Sequence, residues 1–248
     1  MKLANKLIIV AFACFGNFPV EAAETWKIAS LEWPPFSGEK LLYGGSAIKA
    51  LRDTLKEHDI ELVVEYYPWT RAIAQASSPS MIGFYPAWPE DVGKGFSVSG
   101  TLFKSPLIIA QNRKAPFSIK SLSDLKGKVV GTVQDYGNTK EFNDMVAKGI
   151  IIGDNGPDDL IGVKKLGASR IDAMIIDRNV LNYILKFQYV VPGEPIFDSG
   201  GWIAQKDLLV AVNNAHPKKN EIIALLNKIS KAAKTQKMVD AANKIIFQ

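Results

Sequence analysis

The sequence of 248 residues is 47% hydrophobic and 22% charged, an ordinary globular composition that allows one large domain or two smaller lobes. Its formal net charge of +5 comes without a clustered stripe of Lys and Arg, so we do not expect a nucleic-acid partner. His, Cys and carboxylate residues show no spacing typical of metal ligands, and we expect no metal and no cofactor.

The first 22 residues have the pattern of a secretory signal peptide. Lys2 and Lys6 precede an apolar run over residues 7–16, which is too short for a bilayer span of roughly 20 residues. We expect cleavage after Ala22, with Ala23 as the alternative. Cleavage removes two basic residues, one acidic residue and the only cysteine, and lowers the net charge from +5 to +4. The sequence therefore predicts a soluble, exported protein, most simply in a bacterial periplasm.

Three predicted strands, over residues 26–31, 60–67 and 81–86, each end near aromatic side chains. The residues at these ends are Trp33, Phe36, Trp69, Tyr85 and Trp88. Such a series at successive strand ends predicts an aromatic-lined ligand pocket. For the first pair, in the Trp-Pro-Pro-Phe turn, a plug that only packs against the core is the alternative. A helix over residues 47–57 separates the first two strands, and a short helix over residues 72–76 follows the second.

A second unit begins after a long apolar passage over residues 102–110, which we interpret as a strand crossing between lobes. A strand over residues 128–133 leads through the Gln-Asp-Tyr-Gly turn to Asn138, which can cap a helix with Glu141 at the capping-box position. A strand, a Gly turn and a capped helix form an anion-binding corner, because backbone N–H groups point out of the helix start. An ordinary strand–helix turn is the alternative.

The remaining pattern predicts a strand over residues 149–153, a polar turn over 154–158, and a short buried strand ending at Asp177. Asp177 either caps the helix that follows or points into the crevice where open α/β sheets bind ligands. Shorter apolar segments over residues 202–204 and 208–212 predict returning strands. Residues 220–247 are predicted to be helical.

In this order, the segments resemble the bacterial family 3 extracellular solute-binding proteins. The resemblance covers essentially the whole mature chain, and its most specific parts are the Asp-Leu-Lys-Gly and Arg-Ile-Asp-Ala segments. The matching segments are residues 33–36, 67–72, 96–97, 124–131 and 170–177.

The resemblance implies an α/β fold with two Rossmann-like lobes joined by two crossing strands and a ligand cleft between them, as in periplasmic type 2 binding proteins. Lobe 1 is expected over residues 23–109 plus 201–248, and lobe 2 over residues 110–200. A monomer is expected.

The resemblance also implies roles for individual residues. In amino-acid-binding members an Arg takes the ligand carboxylate, a Ser or Thr at a helix start assists, and an Asp takes the ammonium. Thr139 and Asp177 match the latter two positions. Glu90 stands where the family has its Arg, and a carboxylate cannot clamp a carboxylate. The resemblance therefore does not predict ordinary amino-acid binding, and Arg71 is the nearest substitute cation in sequence.

The sequence thus predicts a periplasmic binding protein, not an enzyme. It would capture a small polar, amine-containing, amino-acid-like ligand by lobe closure, for an inner-membrane ABC permease or a sensor. An enzyme resembling cyclohexadienyl dehydratase, with Glu90 as a buried acid, and a degenerate protein-interaction module are the alternatives. The predicted ligand-binding residues are Trp33, Phe36, Trp69, Arg71, Tyr85, Trp88, Glu90, Gly137, Asn138, Thr139 and Asp177.

Overall fold

The structure, a computed structural model, describes residues 24–189, 196–232 and 234–248, apart from the side chains of residues 202 and 203. The predicted signal peptide and its cleavage site lie outside the described residues. None of the described helices is long and apolar enough to cross a membrane.

The described residues form nine strands and seven α-helices. The strands are β1 (Glu24–Ser30), β2 (Ile60–Tyr66), β3 (Gly83–Ala87), β4 (Phe96–Val98), β5 (Phe103–Asn112), β6 (Val129–Val133), β7 (Ile152–Gly156), β8 (Ala173–Asp177) and β9 (Ile196–Asn213). The helices are α1 (Ser46–Lys56), α2 (Trp69–Ala76), α3 (Lys140–Ala147), α4 (Asp159–Gly167), α5 (Arg178–Phe187), α6 (Lys219–Lys231) and α7 (Thr235–Ile246).

The strands follow the order β2-β1-β3-β9-β5-β8-β6-β7, and β4 also pairs with β9. In the first lobe, β1 lies parallel to β2 and β3. In the second lobe, β6 lies parallel to β7 and β8. Parallel strands joined by helices are the βαβ arrangement that predicts a ligand crevice at the carboxyl ends of the strands.

Two long antiparallel strands, β5 and β9, connect the lobes. β9 pairs with β5 as far as Leu208 and with β3 from Leu209 onward. The other edge of β5 pairs with β8 of the second lobe. The two crossing strands predicted for the fold are therefore β5 and β9, while the lobe limits at residues 109/110 and 200/201 stay a prediction.

Helix α1 illustrates how the pattern determines packing. Ile48, Leu51 and Leu55 recur at helical spacing and all three are fully buried. They cover the first-lobe sheet, and α7 from the end of the chain packs beside α1. Helix α7 thus packs on the first lobe, while the assignment of the whole C-terminal segment to that lobe stays a prediction.

Several element boundaries differ from the sequence prediction. The predicted strand over residues 149–153 begins three residues later, because Gly149 to Ile151 still bond back to the end of α3. The predicted polar turn over 154–158 instead contributes to β7, a strand at the end of the sheet order, where polar residues are tolerated.

The cap of α3 and the course of β9 also correct the sequence prediction. Thr139, not Asn138, is the N-cap of α3, because its hydroxyl oxygen accepts the Phe142 N–H at 3.3 Å. The segments over residues 196–197, 202–204 and 208–212 are one continuous strand, β9. The predicted C-terminal helical region is divided into α6 and α7.

Candidate functional site

Aromatic side chains from both lobes meet around one small cavity, here called the aromatic cavity. It is lined by Leu31, Trp33, Trp69, Pro86, Trp88, Asp91, Tyr136 and Leu208. Trp33 follows β1, Trp69 begins the helix after β2, and Trp88 follows β3. The three strand ends therefore bring their tryptophans together, because parallel neighbouring strands end at the same edge of the sheet.

Tyr136 enters this cavity from the second lobe. It lies in the turn between β6 and α3, next to Asp135 at a positive φ of 62°. Its ring makes edge contacts with Trp88 at 5.5 Å and with Trp69 at 6.1 Å between centroids. Such T-shaped pairs are the favoured arrangement of aromatic quadrupoles.

The backbone of the same turn also meets the first lobe. Trp69 Nε1 donates to the Asp135 carbonyl at 3.0 Å, and the Thr70 hydroxyl donates to the Asp135 carboxylate at 2.5 Å. Between the lining side chains the cavity measures only about 20 Å³, room for about one water molecule. A larger ligand therefore requires Tyr136 or the lobes to move.

Two buried carboxylates, Asp159 beside Tyr136 and Asp177 near Asp159, are here called the acid pair. The Tyr136 hydroxyl donates to Asp159 at 3.2 Å, so Tyr136 connects the cavity to the pair. Burial, assisted by the charge of Asp177, raises the pKa of Asp159 to about 7, although the hydrogen bond from Tyr136 lowers it. Two carboxylates this close disfavour each other's ionised form.

Asp177 is both the cap and the strand-end acid that the sequence left open. Its Oδ1 accepts the Asn179 N–H at 2.7 Å and the Val180 N–H at 3.2 Å, at the start of α5. Burial raises its pKa to about 6, against the nearby Ser105 hydroxyl and these backbone bonds. Ser105 is close, yet neither its Oγ nor Asp177 Oδ2 has a partner at hydrogen-bond geometry among the described residues. Asp177 Oδ2 is thus a buried acceptor whose nearest donor, the Ser105 hydroxyl, does not meet it at hydrogen-bond geometry.

A third carboxylate, Asp91, holds the two lobes together at Gly137. Asp91 Oδ1 accepts the Gly137 N–H from the second lobe at 2.6 Å, and Oδ2 accepts the Trp88 N–H at 2.8 Å. Burial raises its pKa to about 6, while these bonds and the charge of Lys206 lower it. We call this arrangement of Asp91, Gly137 and Lys206 the Gly137 corner.

Lys206 provides the cation of this corner. It lies on β9, two residues before cavity-lining Leu208 and so on the same face of the strand. Its side chain is 5% exposed, its Nζ lies 2.6 Å from Glu90 Oε1, and it donates to the Gly137 carbonyl at 3.2 Å. The ammonium also lies 5.1 Å from the centre of the Trp88 ring. Lys206 is therefore a buried cation that already has a carboxylate partner.

Some predicted site residues lie away from the cavity. Phe36 packs behind Trp33 and against Phe103, at 5.3 Å between centroids. Tyr85 is fully buried, with its hydroxyl 3.4 Å from the Ala47 carbonyl. Arg71 is exposed on α2 and stacks over Tyr67.

The remaining predicted residues lie around the Gly137 corner. Glu90 pairs with Lys206, and Asn138 and Gly137 line a groove beside the corner together with Glu90. Thr139 uses its hydroxyl to cap α3. The sequence thus identified parts of both sides of this corner without predicting the contact between them.

Four residues at the site were not selected from the sequence: Asp91, Tyr136, Asp159 and Lys206. Asp91 and Tyr136 are adjacent in sequence to the predicted site residues Glu90 and Gly137. That adjacency was the only signal in the sequence that could have identified them. Asp159 follows a turn rather than a strand, and Lys206 lies between the polar residues Gln205 and Asp207 of β9. The described residues contain no group of three or more His, Cys, Asp or Glu side chains placed to hold a metal ion.

No family model and no curated protein sequence matches the chain. Among solved structures, an ancestral arginine-binding protein bound to arginine is 19% identical with a TM-score of 0.72, over 92% of this chain and 100% of that one. A histidine kinase sensor domain with similarity to periplasmic binding proteins is 14% identical with a TM-score of 0.74, over 91% and 96%.

A third solved structure belongs to the ancestral amino acid-binding protein AncCDT-1, a precursor of cyclohexadienyl dehydratase. It is 17% identical with a TM-score of 0.65, over 90% of this chain and 96% of that one. At these identities the likeness concerns the fold, which is that of the periplasmic type 2 binding proteins, as predicted.

Proposed function

We propose that this protein is a periplasmic solute-binding protein that captures a small, amine-bearing ligand between its lobes. The observation that carries the proposal is the aromatic cavity lined by Tyr136, whose hydroxyl donates to Asp159 of the acid pair. Aromatic faces attract cations by about 0.5–2 kcal/mol each. A desolvated carboxylate adds a charge-assisted hydrogen bond to an ammonium, worth about 1.5–3 kcal/mol.

The charge balance around the cavity supports a cationic ligand. Asp91 and the acid pair supply three carboxyl groups, whereas the buried cation at the site, Lys206, is already paired with Glu90. Asp177 Oδ2 is a buried acceptor without a partner among the described residues. Trp88 Nε1 is a buried donor in the same condition. An ammonium is a donor for Asp177 Oδ2, whereas Trp88 Nε1 requires an acceptor group on the ligand.

An ABC-type importer or a sensor protein would read out lobe closure. The similar structures include a substrate-binding protein of an amino acid ABC transporter and a histidine kinase sensor domain, which supports either kind of partner. The pattern of the first 22 residues supports export to the periplasm.

Asp177→Asn tests the proposal. Asn also caps helices well, so α5 should stay intact while the charge is lost. We expect calorimetry with tyramine, agmatine and cadaverine to show binding by the wild type and at least a tenfold loss in the variant, about 1.4 kcal/mol. Asp124→Asn is the matched control, since Asp124 also accepts two backbone N–H groups but at an exposed turn. Wild-type affinity in Asp177→Asn, or no binding of any of the three amines, would refute the proposal.

A dehydratase is the second candidate, because burial raises the pKa of Asp159 to about 7 and a protonated acid near neutrality can act as a general acid. Incubation with prephenate or arogenate, followed by ultraviolet absorbance of the aromatic product, tests it. Turnover that is lost in Asp159→Asn would support the enzyme. Absence of turnover together with amine binding would support the solute-binding protein.

A further inference from the structure

We propose that Asp91 is a built-in carboxylate that fills the anion-binding part of the cleft, so that the site selects amines lacking a carboxylate over amino acids. This inference deepens the proposed function and depends on it for the ligand class. Asp91 thereby determines specificity, because it occupies the position that a ligand's own carboxylate would need.

The first support is the pairing of Asp91. Each of its two oxygens accepts a backbone N–H group, from Gly137 at 2.6 Å and from Trp88 at 2.8 Å. The two donors come from opposite lobes. Two N–H groups converging on one carboxylate, with the Lys206 ammonium close enough to lower its pKa, form an anion site whose anion belongs to the chain.

The second support is the closeness of the approach. A Cβ added at Gly137 would lie 2.6 Å from Glu90 Cβ and 2.8 Å from both Asp91 N and Asp91 Oδ1. These contacts are shorter than real Cβ atoms show, and one of them is to backbone. The absence of a side chain at position 137 therefore allows the Asp91 carboxylate to reach the second lobe, which leaves no room at this contact for a second carboxylate.

The third support is the state of the remaining cation. Lys206 could attract a ligand carboxylate, but its Nζ already contacts Glu90 and the Gly137 carbonyl. A ligand carboxylate would have to replace Glu90 and would lie close to Asp91. Like charges at this range oppose binding. An amine without a carboxylate avoids this penalty and retains the aromatic faces and the acid pair.

Calorimetry with three pairs of probes that differ only by a carboxylate tests the selectivity: tyramine and tyrosine, agmatine and arginine, cadaverine and lysine. In the wild type we expect each amine to bind at least tenfold more tightly than its amino acid. In Asp91→Ala, which frees both N–H groups beside Lys206, we expect this ratio to fall at least tenfold. Asp91→Asn is the matched control, because it keeps the space filled, and it should not gain amino-acid binding. Equal or tighter binding of the amino acids by the wild type would overturn the inference.

A second measurement does not require any amine to bind. Acetate is titrated into nitrogen-15-labelled protein while the Gly137 amide resonance is followed. We expect saturable movement in Asp91→Ala and none in the wild type or in Asp91→Asn at the same acetate concentrations. If Asp91→Ala does not respond, or the wild type responds equally, Asp91 does not fill an anion site. If the acetate result holds but no amine binds, the assignment of Asp91 stands and the proposed amine-binding function fails.

Discussion

Asp91 and Asp177 are both carboxylates at the cleft, and both have a pKa raised to about 6 by burial. They differ in how their oxygens are used. Each carboxylate oxygen of Asp91 accepts a hydrogen bond from a backbone N–H group, one in each lobe. One oxygen of Asp177 accepts a backbone N–H group at the start of α5, and the other has no hydrogen-bond partner among the described residues.

The difference separates two tasks that one type of side chain can perform. A carboxylate whose oxygens are both satisfied across the cleft stabilises the closed arrangement and excludes another anion. A carboxylate with a buried, unpaired oxygen is costly in itself, since an unsatisfied buried group costs about 1–3 kcal/mol. That cost is recovered when a donor such as an ammonium arrives, so Asp177 is suited to bind and Asp91 to select.

Gly137→Ala tests the Asp91 side of this comparison and should have the largest effect. Its methyl group would push the lobes apart at the Gly137 corner while leaving Asp177 unchanged. Overpacking costs about 1–3 kcal/mol, which predicts a loss of about 5- to 150-fold in amine affinity by calorimetry. Gly93→Ala is the matched control, because a Cβ there meets nothing within 4 Å. Unchanged affinity in Gly137→Ala would mean that the corner does not close on the ligand.

The pH dependence of stability sharpens the comparison by adding the third acid. Asp91, Asp159 and Asp177 have native pKa values of about 6, 7 and 6, above the ordinary 3.8. The native state therefore holds protons that the unfolded chain releases near pH 4. The contribution of these groups to stability is full below pH 4 and is lost as the pH rises toward 7.

Chemical unfolding without added ligand, measured from pH 4 to 8, should show this decline. Each unit of pKa difference corresponds to about 1.4 kcal/mol. Asp159→Asn, which cannot ionise, should lose less stability than the wild type over the same range. Equal slopes in the two proteins would show that Asp159 titrates normally in the folded state.

Much of the fold could be predicted from the sequence because its signals are local. Ile48, Leu51 and Leu55 specify a buried helix face by spacing alone. The tryptophans at positions 33, 69 and 88 follow strands that the pattern identified, and parallel strands bring them together. Asp177 was recognised as the end of a buried strand, and it is both strand end and helix cap.

The contacts at the Gly137 corner could not be predicted in the same way. Arg71 was the substitute cation nearest to Glu90 in sequence, yet α2 turns it toward solvent over Tyr67. Lys206 is 116 positions from Glu90, and its place depends on the register of β9 against β5, which opposes it to Ser105. Long-range register of this kind is determined by tertiary packing and has no local signal.

The central claim, that the buried carboxyl groups at the cleft bind a cationic ligand, is tested most directly by counting the protons released on binding. Calorimetry of the tightest binder among tyramine, agmatine and cadaverine, repeated near pH 6 in buffers of different ionisation enthalpy, gives that number. Because a bound cation favours the ionised acids, we expect net proton release near pH 6, less release in Asp159→Asn, and almost none at pH 9. Binding near pH 6 with no proton release, or with proton uptake, would contradict the account.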